Sequence, residues 1–227
     1  EQLEKEGFRL SGNRFVKGHE LYLPLYEGKM FMPYDHRFAD ATFADPGSAR
    51  KGRAEELTRA DHENPLRLPM PKYWVSATAT DEAMGRSKSS WLIGFKDITS
   101  ATNERTALFA IFPKAALTNK VPALLSVSRS KTSAAFASML LGSLNSLVFD
   151  FVARQKLGGT TMNFFYVKQF PTLAPAAYTE HAFQSITPLV LELTCTAWDI
   201  QPFFDDVWRE ADDTLRAAIR QQWEENR

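Results

Sequence analysis

The side chains best suited to binding a ligand surround one glycine turn, in the segment RQKLGGTTMNFFYVKQFPTLAP at residues 154–175. The segment carries the cations Arg154, Lys156 and Lys168, the glycines Gly158 and Gly159, and the polar residues Thr160 and Asn163. Cations, exposed backbone N–H groups and hydroxyls are the groups that hold phosphate. A structural corner between a helix and a strand would explain the same glycines, so both interpretations stay open.

Two further polar segments favour contact with nucleic acid. DITSATNERT, at residues 97–106, contains Asn103 and Arg105, whose side chains suit the edges of adenine and guanine. SVSRSKTS, at residues 126–133, places Arg129 and Lys131 just before a predicted helix, whose N-terminus favours anions. A solvated loop explains each segment alone, but three in one small domain favour contact with a phosphate backbone.

Motifs for catalysis are missing from the sequence. None of the histidines lies three or four residues from another histidine or from the single cysteine, as zinc ligands usually do. The Glu-x-Lys spacing at residues 27–29 resembles a metal-dependent nuclease, but no aspartate precedes it to hold the metal. No glycine-rich cofactor loop and no (Asp/Asn)-Pro-Pro-(Tyr/Phe) motif occurs. We therefore predict no catalytic residue, metal site or cofactor site in this chain.

Charge and cysteine content limit the possible partners and compartments. Lys plus Arg and Asp plus Glu both total 27, so a DNA-binding surface would require cations to be segregated onto one face. Cys195 is the single cysteine, which excludes an internal disulfide and fits a reducing compartment. No apolar run reaches the ~18–20 residues of a membrane span. We expect a cytoplasmic protein without a membrane partner, and the charged, Met-less start suggests a fragment.

Apolar patterning predicts an α+β fold. Aromatic and β-branched segments predict strands at residues 72–77, 91–99 and 106–112, and residues 22–33 predict a hairpin that turns at Glu27 and Gly28.

A helical pattern follows these strands. Apolar residues at spacings of four, four, three and four, from Phe136 to Phe151, predict one long buried helix over 134–155. Ser133 is its expected cap, and Gly158 is expected to end it in a left-handed conformation. An aromatic strand should come next, then a helix that begins at Thr187-Pro188 and a last helix over about 205–225.

Four segments resemble the C-terminal half of large adenine-specific DNA methyltransferases: LPMPKYWVSA, WLIGFKDITSATNERTALFAIFP, LLGSLNSLVFDFVARQKLGGTTMNFFYVKQFPTLAP and LELTCTAWDIQPF. These enzymes are the fused type IIG restriction–modification enzymes and the methylases of the BREX and DISARM phage-defence systems. The resemblance covers most of residues 20–205 in the family's order. It implies a mixed-sheet target recognition domain at 1–176, followed by a helical C-terminal segment at 177–227.

The resemblance also implies a function. This chain would recognise a specific sequence in double-stranded DNA for an adenine N6-methyltransferase. The catalytic domain, with its S-adenosylmethionine, would belong to a missing N-terminal part of the same polypeptide. The turn over residues 159–163 is similar to the Gly-Thr-x-x-Asn turn of type I specificity subunits. The departure is that Pro171 and Pro175 are not adjacent in the exit from this turn.

Side-chain chemistry assigns the predicted contacts within this interpretation. Asn103 and Arg105 are the expected base readers, and the expected phosphate contacts are Arg129, Lys131, Arg154, Lys156 and Lys168. The predicted structural residues of the turn are Gly158, Gly159, Thr160 and Asn163. We also predict that residues 102–106, 128–133 and 154–159 meet on one face, because a duplex presents its phosphates to one concave side of a protein.

Two alternatives remain. The neutral charge and an amphipathic last helix with Trp208 and Trp223 would suit a protein-interaction module that docks onto a methyltransferase or another defence subunit. An independent hydrolase or nuclease is the third possibility, and the missing catalytic motifs count against it.

The sequence predicts that this chain alone transfers no methyl group, because it has neither a cofactor loop nor a motif that holds the amino group of a base. Incubation with radiolabelled S-adenosylmethionine and DNA of mixed sequence should leave the DNA unlabelled. Robust labelling of the DNA would contradict the interpretation.

Overall fold

The fold is described from a computed structural model that describes residues 2–41, 54–85, 87, 89–125 and 133–226. In chain order the elements are α1 (Gln2–Lys5), β1 (Arg9–Ser11), β2 (Arg14–Lys17), β3 (Glu20–Tyr26), β4 (Ala39–Asp40), β5 (Glu55–Glu56), α2 (Arg59–Glu63), β6 (Trp74–Ser76), α3 (Ala77–Met84), β7 (Trp91–Phe95), β8 (Phe109–Pro113), β9 (Ala116–Leu117), β10 (Ala123–Leu124), α4 (Ala134–Leu144), α5 (Leu147–Lys156), α6 (Phe164–Val167), α7 (Glu180–Thr194), α8 (Gln201–Glu210) and α9 (Asp213–Glu225). The α+β prediction is confirmed.

The N-terminal part of the chain forms a mixed sheet. Strands β1, β2, β3 and β6 are antiparallel neighbours in that order, and β9 runs parallel to β3, with Leu25 opposite Ala116. The two hairpin turns use Gly12 and Gly18, which have φ angles of +59° and +56° that favour glycine. The hairpin predicted over residues 22–33 is wrong, because the chain leaves β3 at Tyr26 and forms a 3₁₀ helix at Gly28–Met30.

A second sheet holds β10, β7 and β8 in that order, all antiparallel. Every residue of β7 and β8 is buried, which explains why both segments are apolar throughout rather than alternating. The predicted strands at 72–77, 91–99 and 106–112 are confirmed in position, although each observed strand is shorter or shifted by a few residues.

The predicted long helix is two helices. Ser133 caps α4 as expected, since its hydroxyl accepts from the N–H of Phe136 at 3.1 Å. The helix then ends at Asn145, and Ser146 caps α5. Among the described residues no single helix is long and apolar enough to cross a membrane, and α4 and α5 meet that test only as a pair bent by 61°.

The break at Asn145 rotates the buried face of α5. Phe149, Asp150 and Ala153 point into the protein, whereas Leu147 and Phe151 are 74% and 62% exposed. The predicted core role of Leu147 and Phe151 is therefore wrong, because that prediction assumes a continuous helix.

The corner after α5 also differs from the prediction. Leu157 ends the helix in an extended conformation, and neither Gly158 nor Gly159 has a positive φ, so the left-handed turn predicted there is wrong. The segment that follows is the short helix α6, capped by Asn163, rather than a strand.

The C-terminal helices pack on the second sheet and on α4. Helix α7 begins eight residues before the predicted start, with Thr179 as its cap, and Thr187 and Pro188 lie inside it. Thr187 is buried and its hydroxyl lies 2.9 Å from that of Ser138 in α4, so it is a packing residue and not a cap. The predicted last helix is divided into α8 and α9, because Asp212 caps a new helix.

One hydrophobic cluster joins the two predicted parts of the chain. It contains Trp91 and Phe109 of the second sheet, Leu141 of α4, and Leu191 and Phe203 of α7 and α8. The helical segment after residue 176 therefore shares its core with the segment before it.

Side chains from the helix break bond the first residue of β8 and the residues just before it. In the described part of the chain β8 has a strand neighbour on one side only. On the other side the amide of Asn145 accepts from the N–H of Phe109 at 3.0 Å and donates to its carbonyl at 2.9 Å. The buried carboxylate of Asp150 accepts from the N–H groups of Thr106 and Ala107, both at 2.7 Å. These four bonds fix the α4–α5 break against the strand.

Hydrogen bonds keep Asp150 ionised despite its burial. Burial alone would raise the pKa of this carboxyl, but the N–H of Ala107, the guanidinium of Arg154, the N–H of Thr106 and the charge of Arg105 together hold the pKa below its ordinary value. Because the folded-state pKa is lowered, the stabilisation is complete above the unfolded pKa of about 4 and is lost as the pH falls through the folded-state pKa.

We expect Asp150→Asn to lower the free energy of unfolding by about 3 kcal/mol at pH 7, because it removes a charged acceptor from buried donors. Urea unfolding at pH 7 and at pH 3.5 would measure this loss, which should be smaller at the lower pH. The fully exposed Asp213→Asn is the matched control and should leave the stability nearly unchanged. A loss that is absent, or that does not depend on pH, would contradict the assignment.

Candidate nucleic-acid interface

A cleft lined by lysines is a basic feature of the described surface. It has a volume of about 640 Å³ and lies between the end of β3, the start of β6, the end of β7 and the turn between β9 and β10. Its lysines are Lys29, Lys72, Lys96 and Lys120, and we call it the lysine cleft. Glu27 is the acidic residue of the lining and the buried Asp97 pairs with Lys120, so four lysines against two carboxylates give a formal charge of +2 in a chain with no net charge.

The extended segment after β7 places two of its side chains in the lysine cleft. Lys96 and Ile98 line the cleft, whereas Asp97 and Thr99 are 5% and 2% exposed. This is the alternation expected of extended backbone. Ile98 is 49% exposed, so an apolar side chain stands between the lysines at the surface.

Lys96 is a partly enclosed cation of the lysine cleft. Its ammonium lies 5.3 Å from the ring centre of Phe31 and 3.5 Å from the sulfur of Met32. Burial lowers the pKa of Lys96, because the charged form loses part of its hydration. An anion that enters the cleft would restore the interactions that this ammonium lacks.

Two of the other lysines already have carboxylate partners. Lys120 lies 3.1 Å from Asp97 and Lys29 lies 3.4 Å from Glu27. The Lys120 side chain is 48% exposed, so its ammonium can hold Asp97 and still meet a ligand from the solvent side. Both pairs are partly hydrated, so they fix side-chain positions more than they stabilise the fold.

The glycine turn, which we define as residues 157–163, packs against the far side of the same segment. The N–H of Thr99 donates to the carbonyl of Thr160 at 3.1 Å, and the N–H of Met162 donates to the carbonyl of Asp97 at 2.7 Å. The N–H of Asp97 in turn donates to the carbonyl of Lys120 at 3.1 Å. The segment 96–99 is thus held between two turns, one beside the lysine cleft and one at the end of α5.

The turn itself shows more structural than ligand-binding features. The Asn163 side chain accepts from the N–H of Phe165 at 3.0 Å and so caps α6. A Cβ atom at Gly158 or Gly159 would meet no heavy atom within 4 Å, so close packing requires a glycine at neither position.

The loop at residues 100–105, which we call the polar loop, is tied down by two arginines. Arg154 donates to the carbonyl of Ala101 at 2.9 Å and to the carbonyl of Glu104, and it pairs with Asp150 at 3.0 Å. Arg105 donates to the carbonyl of Asn145 and also faces Asp150, at 3.7 Å. The two guanidiniums therefore hold the loop against the helix break.

Hydrogen bonds of Thr99 and Thr106 close the base of the polar loop, and one predicted base reader, Asn103, stays at the surface. Thr99 donates its hydroxyl to the carbonyl of Thr106 at 2.8 Å, and Thr106 donates its own to the carbonyl of Ser100 at 3.0 Å. Asn103 is exposed on the loop between them. A polar side chain on a fixed loop can meet a ligand with little loss of conformational freedom.

The predicted contacts therefore fall into three groups. Asn103, Lys156 and Lys168 are exposed, whereas Arg105 and Arg154 point inward and serve as positioning residues in this structure. Arg129 and Lys131 lie outside the described residues. The DNA contacts predicted for all seven remain predictions.

Two of the three polar segments meet, and the third lies almost entirely outside the described residues. Residues 102–106 and 154–159 come together through Arg154. Of residues 128–133, the described part is Ser133, which bonds to Glu210 of α8 at 2.8 Å. Ser133 stands at the opposite end of α4 from Asn145, roughly 18 Å away at 1.5 Å per residue.

Sequence reasoning missed the lysine cleft. Its lysines are scattered from residue 29 to residue 120 and converge only through strand pairing, including the parallel pair of β3 and β9. One sequence feature could have pointed to the cleft: Lys72, Lys96 and Lys120 each lie just outside a short apolar strand.

Metal ligands do not converge in the described ranges, where no group of three His, Cys, Asp or Glu side chains is placed to hold an ion. Comparison with known proteins found no protein-family model, no curated protein and no solved structure that matches the chain significantly.

Proposed function

We propose that this chain recognises a specific sequence in double-stranded DNA, as the target recognition region of an adenine-specific DNA methyltransferase of a restriction–modification or phage-defence system. The lysine cleft is the observation that carries the proposal. The resemblance of four sequence segments to such regions supports it independently of the cleft.

Segregated charge is the physical basis of the proposal. A neutral chain gains nothing from its net charge in approaching DNA, so attraction must come from a local field. Concave low-dielectric walls concentrate such a field, and the lysine cleft combines them with a formal charge of +2 once Asp97, the partner of Lys120, is counted. Each lysine that neutralises a phosphate releases condensed counterions, which makes binding salt-dependent.

Base recognition falls to the polar loop and the apolar residues of the cleft. Asn103 offers the donor and acceptor pair that suits adenine. Ile98 is exposed among the lysines and would meet a thymine methyl group or the apolar surface of a sugar. Phosphate contacts would set the register and these side chains would read sequence.

The remaining predicted residues take supporting roles. Lys156 and Lys168 are proposed to extend the phosphate contacts past α5, where both are exposed. Arg105 and Arg154 are proposed to act on DNA through the polar loop, whose carbonyls they hold. S-adenosylmethionine is assigned to the methyltransferase domain of the same polypeptide, and the proposed compartment is the cytoplasm.

A docking role for this chain is the second candidate, and the exposed face of α5 favours it. Leu147, Val148 and Phe151 are 74%, 76% and 62% exposed on adjacent turns, and Phe165 is 69% exposed. Large apolar groups so placed are typical of an interface. The partner proposed for this face is the methyltransferase domain. Trp208 and Trp223, which the sequence suggested for this role, are instead half-buried against Phe204.

We expect Lys96→Met to weaken binding to any duplex about eightfold at 0.1 M salt, because one phosphate contact contributes about 0.9 decades of affinity per decade of salt. Lys29→Met should act similarly. Fluorescence anisotropy of a labelled duplex, repeated over a range of salt concentrations, would measure both the affinity and the salt slope, which should fall by about 0.9 for each variant.

The same variants separate a binding effect from an unfolding effect. Lys96→Met should keep or raise the thermal midpoint, since the substitution removes a partly buried charge whose hydration is incomplete. Lys5→Met, an exposed lysine outside the cleft, is the control and should leave affinity unchanged. Equal DNA affinities of the wild type and both cleft variants would contradict the proposal.

A further inference from the structure

An aromatic pocket on the C-terminal helices is independent of the lysine cleft. It has a volume of about 270 Å³, and its lining includes Pro65, Trp198, Gln201, Phe204, Asp205 and Trp223. Trp198 is 60% exposed, although burial of a tryptophan side chain usually stabilises a protein. The pocket thus presents aromatic surface and one carboxylate to solvent.

The charge of the aromatic pocket is negative. Asp205 is exposed and, within the residues that the structure describes, has no ion-pair partner. Burial, and to a smaller extent the charge of Asp205, raises the pKa of the neighbouring Cys195 far above its ordinary value, so this thiol stays neutral. Asp205 is consequently the one charged group of the lining, and it lacks a counterion.

The same aromatic cluster already binds guanidinium groups at its other end. Phe204 stacks on Trp223 with ring centres 4.9 Å apart and on Trp208 with ring centres 5.9 Å apart. Arg220 and Arg216 lie over the Trp208 ring at 5.1 Å and 5.8 Å. Stacking on indole suits the planar guanidinium better than the compact ammonium of lysine.

The pocket is held in place by buried contacts. The N–H of Trp198 donates to the carbonyl of Pro65 at 3.1 Å. Next to Pro65, the fully buried Arg37 donates to the carbonyl of Asn64 at 2.9 Å and to that of Thr196 at 2.7 Å. The loop that carries Trp198 is therefore fixed to the segment opposite, so little ordering is needed on binding.

The cations of a neighbouring cleft form no ion pair with Asp205 within the part of the chain that the structure describes. A neighbouring cleft shares Trp198, Gln201 and Asp205 with the pocket and adds Arg14 and Lys114. Lys114 is paired with Asp81, and the charge of Arg14 acts on the buried Asp199. Asp205 remains available to a ligand.

We propose that the aromatic pocket binds an arginine side chain of a partner polypeptide. The guanidinium would stack on the indole of Trp198 or Trp223 and pair with the carboxylate of Asp205. This proposal does not depend on DNA binding, so either can fail without the other.

Titration of the full chain with a blocked Gly-Arg-Gly peptide tests the proposal. Nuclear magnetic resonance would follow the indole N–H signals of Trp198 and Trp223, assigned from Trp198→Phe and Trp223→Phe. We expect both signals to shift in a saturable way. The matching peptide with neutral citrulline should bind at least about tenfold more weakly, and the lysine peptide should also bind more weakly, because neither combines charge with a planar stack.

Asp205→Asn should reduce the affinity for the arginine peptide at least about fivefold, since it removes the charged partner. The exposed Asp213→Asn, which lies outside the pocket, is the control and should bind as the wild type does. Equal binding of the citrulline peptide, tighter binding of the lysine peptide, an unaffected Asp205→Asn variant, or unshifted indoles at about 20 mM peptide would each overturn the proposal.

Discussion

Asn145 and Asp150 bond the backbone of residues 106–109 on the side that has no neighbouring strand, and the position of the polar loop depends on these bonds. Backbone groups that are buried without partners are costly, so that edge must be satisfied. The amide of Asn145 bonds both polar groups of Phe109, and Asp150 accepts from Thr106 and Ala107. The two side chains reach these residues from the end of α4 and the first turn of α5, where the two helices meet at a bend of 61°.

The same carboxylate links the edge of the sheet to the surface. Asp150 pairs with Arg154 and Arg105, and these guanidiniums hold the carbonyls of Ala101, Glu104 and Asn145. The most strongly basic side chains of this region are thereby used inside the protein to fix the polar loop. In the proposed function, contact with phosphate passes to lysines, whose cleft begins at the segment that leads into that loop. A rigid scaffold that presents polar residues on a fixed loop is a common arrangement of binding sites.

Local patterns in the sequence were sufficient for the α+β class, the positions of β6, β7 and β8, and the Ser133 cap. Each of these depends on near neighbours in the chain, such as the apolar run of β7 or the hydroxyl that precedes α4. Predictions failed where a distant partner decides the conformation. Asn145 interrupts an apolar helical pattern because Phe109 is its partner, and Thr187 packs against Ser138 instead of capping a helix.

In the candidate site, too, local patterns could be predicted and contacts between distant residues could not. The sequence drew attention to the segments around Asn103 and Arg154, and the structure does bring those two segments together. Which cations face outward could not be predicted, because Asp150 becomes the partner of both arginines only after α5 turns its new face inward. The lysine cleft could not be predicted for a related reason: its four lysines belong to segments that meet through the pairing of β3 with β6 and β9 and of β7 with β10.

The most direct test of the central claim is a photo-crosslinking measurement at Ile98, between the lysines of the lysine cleft. A benzophenone amino acid placed at Ile98 should crosslink to a labelled DNA duplex on irradiation, and added salt should abolish the product as binding is lost. The same amino acid at Leu66, which is 72% exposed and lies outside the cleft, should give little product. A duplex that binds to the protein but crosslinks equally at both positions, or only at Leu66, would show that the lysine cleft is not the DNA-binding surface.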